Sequence, residues 1–218
     1  VMPENDSKRW LINHNFNVPK GKTVSPHKLG EAASEVGYPV ALKMISPRLL
    51  HKTEAGAVVL DLKDEEELKL AVEKMRIDVT AYDADAASEL FLVEAMSPNP
   101  VAELIVNLRQ DPQFGAALVL GSGGVLVELM ADTATLLLPT SLADIIRALK
   151  SLRVGRLLEG FRGRPAVDIP KVAGEIYKLC IAYQDHDKTI TEIEINPLFV
   201  YRDTVSAIDA LIQVPVHK

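Results

Sequence analysis

The chain has 218 residues, 48% of them hydrophobic and 25% charged, with 12 Gly and 13 Pro, a composition that excludes disorder, collagen and coiled coil. Acids outnumber bases 30 to 24, a formal charge of −6, which argues against a nucleic-acid-binding surface while leaving room for a local cationic site for a small anion. A single cysteine, Cys180, excludes a disulfide framework and a Cys-rich zinc site and fits a reducing cytoplasm. The polar start, residues 1–6, lacks the apolar core of a signal peptide, and the longest uncharged apolar stretch, 116–127, is too short to span a bilayer. The expected setting is therefore cytoplasmic, with no membrane and no nucleic acid as partner. The opening Val1-Met2 reads as a cloning scar or as the cut end of something longer.

In chain order, helices are expected over 6–14 and 26–36, then β-rich runs over 40–46 and 57–62. A helix over 65–75 places Leu68, Ala71, Val72 and Met75 on one face, with Asp64 and Glu67 spaced as a capping box. Strands follow at 90–96, 102–109 and 116–120, the last two joined by the turn Asp111-Pro112-Gln113-Phe114-Gly115. Ser141 is spaced as the N-cap of a helix over 142–152, and a further helix over 171–183 repeats apolar residues from Val172 to Tyr183. The C-terminal strands 191–201 and 205–212 turn at Arg202-Asp203-Thr204. Strands that follow one another directly, as hairpins do, imply antiparallel sheets with helices packed on them, an α+β fold in place of a parallel doubly wound one.

Four stretches carry candidate chemistry. Lys43, inside the 40–46 strand, either stands on a water-facing sheet surface or aims at an anion, the solvated reading being the better one for a lone lysine. His51-Lys52-Thr53-Glu54-Ala55-Gly56 combines a histidine, a cation, a hydroxyl and small residues in one loop, which suits a phosphoryl group; a plain polar loop explains the same composition. Gly121-Ser122-Gly123-Gly124 follows a strand as phosphate-cradling loops do, yet lacks the ending of a P-loop and the spacing of a dinucleotide fingerprint. Near the C-terminus, strand alternation puts Glu192, Glu194 and Asn196 on one face and Ile193 and Ile195 on the other. A hairpin turning at Arg202-Asp203 brings Asn196 opposite Asp209, a lone acid in an apolar run, and such oxygens suit Mg²⁺.

Together these stretches resemble the ATP-grasp domain of the NDP-forming acyl-CoA synthetases, relatives of the succinyl-CoA synthetase β-subunit. The likeness is carried by 37–43, by 46–58 with its His51 loop, by 103–106 through Phe114-Gly115 and the Gly121-Ser122-Gly123-Gly124 loop, and by Glu194-Ile195-Asn196-Pro197-Leu198 with Asp209. The resemblance implies two α+β subdomains gripping a nucleotide, the smaller over 18–94 and the larger over 95–218 plus 1–17. It implies that Lys43 contacts the nucleotide phosphates and that the backbone of Val93, Glu94, Ala95 and Met96 forms the hinge strand reading the adenine edge. Glu103 would hold the ribose hydroxyls, Thr53 and Gly56 would belong to the phosphate loop, and Asn196 and Asp209 would ligate Mg²⁺ with Glu194 close by. His51 would accept a phosphoryl group with Lys52 as electrostatic help.

The implied reaction is acyl-CoA, ADP and phosphate going reversibly to acid, CoA and ATP, with ATP/ADP and Mg²⁺ as cofactors. The length suffices for one ATP-grasp domain with little left over. CoA, the acyl substrate and the first phosphohistidine are therefore expected on a CoA-binding, ligase α-type subunit or domain, in a hetero- or homo-oligomer. The sequence departs from the resembled pattern at Ala57 and Asn107, where glycine is common, and at Leu136, where a basic residue is typical. Ala57 and Leu136 keep open a second reading, a catalytically weakened nucleotide-sensing module of the same fold, and a third is a protein-interaction domain without nucleotide.

Overall fold

The computed structural model describes residues 1–49, 51–124, 132–163, 165–186 and 189–215. The chain forms two compact units, one made of Pro19–Pro98 and the other of Val1–Val18 with Asn99–Lys218. Among the described residues no helix is long and apolar enough to cross a membrane.

The Pro19–Pro98 unit is a four-stranded antiparallel sheet in the order β1 (Gly21–Val24), β4 (Phe91–Ala95), β2 (Val40–Met44) and β3 (Val58–Leu62). Two helices, α2 (Leu29–Val36) and α3 (Glu65–Tyr82), cover one face. Val40, Leu42, Met44, Phe91 and Val93 point into the helices, where Leu68, Val72, Met75 and Val79 meet them. α3 runs a further two turns past the expected 65–75, because Val79 continues the buried stripe of Leu68, Val72 and Met75. It begins as its spacing predicts: the Asp64 carboxylate accepts from the Glu67 amide at 2.9 Å, and Glu67 accepts from the Lys63 amide at 2.8 Å. The short strand β1 was not anticipated, since Gly21-Lys22-Thr23-Val24 is half exposed and shows no alternation.

The other unit is built on a six-stranded antiparallel sheet. Its path runs β10 (Ala210–Gln213), β8 (Glu192–Val200), β5 (Ala102–Asp111), β6 (Gly115–Ser122), β7 (Thr133–Leu137), with β9 (Val205–Ala207) also paired to β8. The register crosses the sheet in two alternating rows. Ile212, Ile193, Leu108, Leu118 and Leu136 share the face packed on α4 (Leu142–Ser151) and α6 (Ile169–Asp185), which follows the single turn α5 (Gly155–Leu158). Leu211, Glu194, Asn107, Val119 and Thr135 share the opposite face. The first helix, α1 (Glu4–Asn13), closes the β10 edge: the Met2 amide donates to the Ile212 carbonyl at 2.8 Å and the Ile212 amide to Ser7 Oγ at 3.2 Å.

One expectation for this unit needs correction, and the edge strand β7 (Thr133–Leu137) was not anticipated. The run 205–212 is not one strand but two, interrupted at Ile208-Asp209. The interruption answers an irregularity in β8. Leu104 pairs with Leu198 but Val106 with Ile195, so Asn196 and Pro197 together face the single residue Ile105. This bulge switches β8 from odd to even buried positions, from Ile193 and Ile195 to Leu198 and Val200, and keeps all four in the core. Cys180 lies in that core, where burial pushes its thiol up to about 12 and leaves it an inert apolar side chain.

Replacement Asp64→Ala is expected to remove the α3 cap and destabilise the Pro19–Pro98 unit by about 1 kcal/mol, read from the midpoint of urea unfolding.

Candidate functional site

In the larger unit, the bulge sets the stage. The Asn196 amide donates to the Asp209 carbonyl at 3.2 Å and the Ile208 amide to the Pro197 carbonyl at 3.1 Å, so the break between β9 and β10 lies against the bulge. Asn196 and Asp209 thereby become neighbours, as the hairpin argument anticipated. Lys8 of α1 adds a hydrogen bond from Nζ to the Ile208 carbonyl at 2.8 Å and pairs with Glu4 at 2.9 Å, both side chains buried.

The glycine loop joins the same cluster. The Gly123 amide donates to the Glu103 carbonyl at 2.8 Å, and the Gly124 amide donates to Asn196 Oδ1 at 3.0 Å. Gly124 has φ +64°, and a Cβ there would collide with the Glu103 carboxylate. Only glycine allows the main chain to approach that closely. Glu103, Gly124, Asn196 and Asp209 are thus linked through short backbone and side-chain bonds, all on or beside β5 and β8. Ser122 donates to Asp132 at 2.8 Å, and Asp132 also accepts from the amides of Arg153 and Val154 at 2.9 and 3.2 Å. Burial works against the Asp132 charge, but those amides and the Ser122 hydroxyl outweigh it and hold the carboxyl below its ordinary value.

Beside Asn196 lies a second polar group that sequence reasoning did not assemble. Asn107 is only 6% exposed, and its Nδ2 donates to Glu192 at 2.6 Å and to Glu194 at 3.1 Å. Gln213 donates to Glu192 from the other side. Asn107 Oδ1 is buried without a partner among the described residues, a cost on the order of 1–3 kcal/mol. Its place in the row Glu103, Ile105, Asn107 was the signal available, since alternation alone puts it on the same face as Glu103.

In the Pro19–Pro98 unit, Lys43 is neither solvated nor open. It is 4% exposed and pairs with Glu94 at 3.0 Å, itself 2% exposed. The register explains this correction: Lys43 stands opposite Leu92 and Ala41 opposite Glu94, which makes the two charges diagonal neighbours on the sheet face away from α2 and α3. Val93, Glu94 and Ala95 lie in β4, an interior strand paired on both sides. The Ala95 amide donates to the Lys20 carbonyl at 2.8 Å and the Met96 amide to the Pro39 carbonyl at 3.3 Å, so both donors are committed within the unit.

His51 is exposed in a compact loop in which the Ala55 amide donates to the His51 carbonyl at 3.2 Å and the Ala57 amide to the Lys52 carbonyl at 2.8 Å. Gly56 has φ +66°, and a Cβ there would stand 2.8 Å from Asp78 Cβ of α3, so the loop is pressed against the helix. Thr53 is exposed. Ala57 is fully buried in the core of its unit and its methyl is accommodated there. Leu136 packs on the helix-covered face of the large sheet, opposite to Glu194, so a basic side chain is not missing from the Glu194 face on its account.

A family model of the ATP-grasp domain matches residues 1–214, and the chain belongs to that family. It is 34% identical over 211 residues to the β-subunit of an ADP-forming acetate–CoA ligase II of Pyrococcus furiosus, covering 95% of this chain and 88% of that one. Among solved structures, a Ca. Korarchaeum cryptofilum dinucleotide forming acetyl-coenzyme A synthetase 1 in complex with coenzyme A and Ca-AMPCP superposes with a TM-score of 0.91 at 30% identity, covering 98% and 93% of the two chains. A second complex of that synthetase, with Mg-AMPPCP and a phosphohistidine segment pointing towards the nucleotide binding site, gives 0.81 at 29% identity, covering 97% and 92%. The α+β architecture is therefore the ATP-grasp fold, and the chain is a homologue of ADP-forming acetate–CoA ligase β-subunits.

The Asp132 anchor carries a pH signature. A carboxyl held below its ordinary value contributes stability that is complete above that value and is lost as pH falls through the folded-state one. Asp132→Asn is expected to lower the unfolding midpoint at pH 7, with the difference from wild type shrinking as the pH drops below about 4.

Proposed function

We propose that the chain is the nucleotide-binding β-type part of an ADP-forming acid–CoA ligase, passing a phosphoryl group through a histidine to ADP. The observation that carries this reading is the convergence of Glu103, Gly124, Asn196 and Asp209 through the β8 bulge. A main-chain loop, an amide oxygen and acidic residues gathered about β5 and the β8 bulge match the needs of a polyphosphate with its counter-ion.

The donor set fits Mg²⁺. Asn196 Oδ1, Asp209 and the nearby Glu194 supply hard oxygens, and among the described residues no three His, Cys, Asp or Glu side chains form a closed metal cage. Such a cation is characteristically held by one or two carboxylates together with phosphate oxygens and water. When bound, Mg²⁺ neutralises phosphate charge and fixes the phosphates for in-line transfer. Glu103 is assigned to the ribose hydroxyls. Lys43 is assigned to the phosphates, in exchange for part of its bond to Glu94. Val93 to Met96 are assigned to the adenine edge through their carbonyls, because the Ala95 and Met96 amides are already spent. The two compact units correspond in this reading to the smaller and larger ATP-grasp subdomains.

His51 is the relay. A ring nitrogen lone pair attacks phosphorus of a phosphohistidine brought by the partner, and the P–N bond to that partner breaks, returning its histidine. An ADP β-phosphate oxygen then attacks the same phosphorus, the P–N bond to His51 breaks, and ATP forms. Lys52 offsets the negative charge as the group passes, and Thr53 and Gly56 shape the loop that carries it. The partner is a CoA-binding subunit or domain that takes CoA and the acyl substrate and carries the first phosphohistidine, and the assembly works in the cytoplasm. Ala57 and Leu136 give no support to a weakened, purely regulatory module, since one fills its core and the other faces the helices.

With the CoA-binding partner phosphorylated and Mg²⁺ present, wild type is expected to convert ADP to ATP, while His51→Ala falls to background with ADP affinity changed by less than about threefold, as for a surface substitution. Full transfer by His51→Ala would remove the relay; ADP binding without transfer by wild type would favour the sensing module; no ADP binding at all would favour an interaction domain.

A further inference from the structure

We propose that Asn107 is a positioning residue of this site: its side-chain amide ties Glu194 to Glu192 and holds Glu194 beside Asn196 for the Mg²⁺-bound phosphates. The inference rests on the functional reading above and adds a residue to it.

The register places Asn107 directly opposite Glu194, one strand over, with Glu192 diagonal to it. Glu192 and Glu194 lie two residues apart on one face of β8, about 6.6 Å along the strand, and two like charges at that spacing repel and turn outward unless something lies between them. The Asn107 amide has two N–H bonds in one plane, and each is spent on one carboxylate, at 2.6 Å and 3.1 Å. Glu192 is fixed further by Gln213, so Glu194 is braced against a carboxylate that is itself braced. Glu194 precedes Asn196 by two residues, and Asn196 is the bulge residue that receives the Gly124 amide. The bridge therefore fixes a side chain at the edge of the Asn196–Asp209 cluster.

The other end of the same amide argues that this is its purpose. Among the described residues Asn107 Oδ1 is buried without a donor, and the residue is more than nine-tenths buried. An apolar side chain of the same size would avoid that cost, so packing alone does not account for an amide here. What the amide supplies, and an apolar residue cannot, is the pair of donors.

The test uses Asn107→Leu, which keeps the volume and removes both donors, and Asn107→Gly, which removes the side chain. ADP binding is titrated by calorimetry at a series of Mg²⁺ concentrations and again with the metal chelated, and thermal unfolding is recorded for each protein. Expected in both variants is a rise of about tenfold in the Mg²⁺ concentration needed for half-maximal ADP binding, the size found when partners of a metal-site ligand are removed. Metal-free ADP binding should stay within about twofold, and Asn107→Leu should unfold no earlier than wild type. An unchanged Mg²⁺ requirement in both variants would overturn the assignment. So would a loss shared equally by metal-free and Mg²⁺-dependent binding with a lowered unfolding temperature, which marks a residue that only supports the sheet. A wild type that binds no ADP under any condition would instead sink the nucleotide reading, and this inference with it.

Discussion

A single extra residue in β8 organises the larger unit. With Asn196 and Pro197 set against Ile105, the strand satisfies two demands that strict alternation cannot meet together. Ile193, Ile195, Leu198 and Val200 all reach the core although their spacing changes parity, and Asn196 is left at the irregular point with its side chain turned to the glycine loop. The partner strand must break where the bulge lies, which is why Asp209 falls between β9 and β10 and beside Asn196. The core and the polar cluster are thus two consequences of one backbone irregularity. Bulges are suited to this, since they re-aim a side chain without ending the sheet.

The charges divide into two populations. The many exposed ion pairs on α3 and elsewhere, such as Lys69 with Glu65, contribute little, because water screens them and two long side chains must be ordered to form each. The buried pairs Lys43–Glu94 and Lys8–Glu4 are different in kind. Removing either partner of such a pair strands a charge away from water, so the pairs are retained as units even though their net contribution to stability is modest. One lies on the sheet face that α2 and α3 leave uncovered, and the other supports the Ile208 carbonyl beside Asp209.

Much of the candidate site's local pattern was legible residue by residue. Glu192, Glu194 and Asn196 alternate with Ile193 and Ile195, and this period-two pattern reports a half-buried strand face directly. Asp209 was conspicuous as an acid in an apolar run. The α3 cap was legible because a capping box is a local arrangement of residues three apart. The Asn107 bridge was not legible, because its two partners are 85 and 87 positions away and only the β5–β8 register brings them together. The edge strands β1 and β7 were missed for a related reason. An edge strand packs on one side only, and short exposed segments carry little periodic signal.

The sequence by itself determined the kinds of element, their faces, the antiparallel character and, through motifs in combination, the family. These are properties of neighbours along the chain, where side-chain period and turn residues act directly. Tertiary structure decided what each polar residue meets: that Lys43 is buried against Glu94, that Leu136 turns to the helices, and that Asn107 bridges two carboxylates. The physical reason is register. Period tells a strand which side is inward, but which residue stands opposite is set by the pairing of whole strands, and a bulge of one residue changes that pairing beyond it.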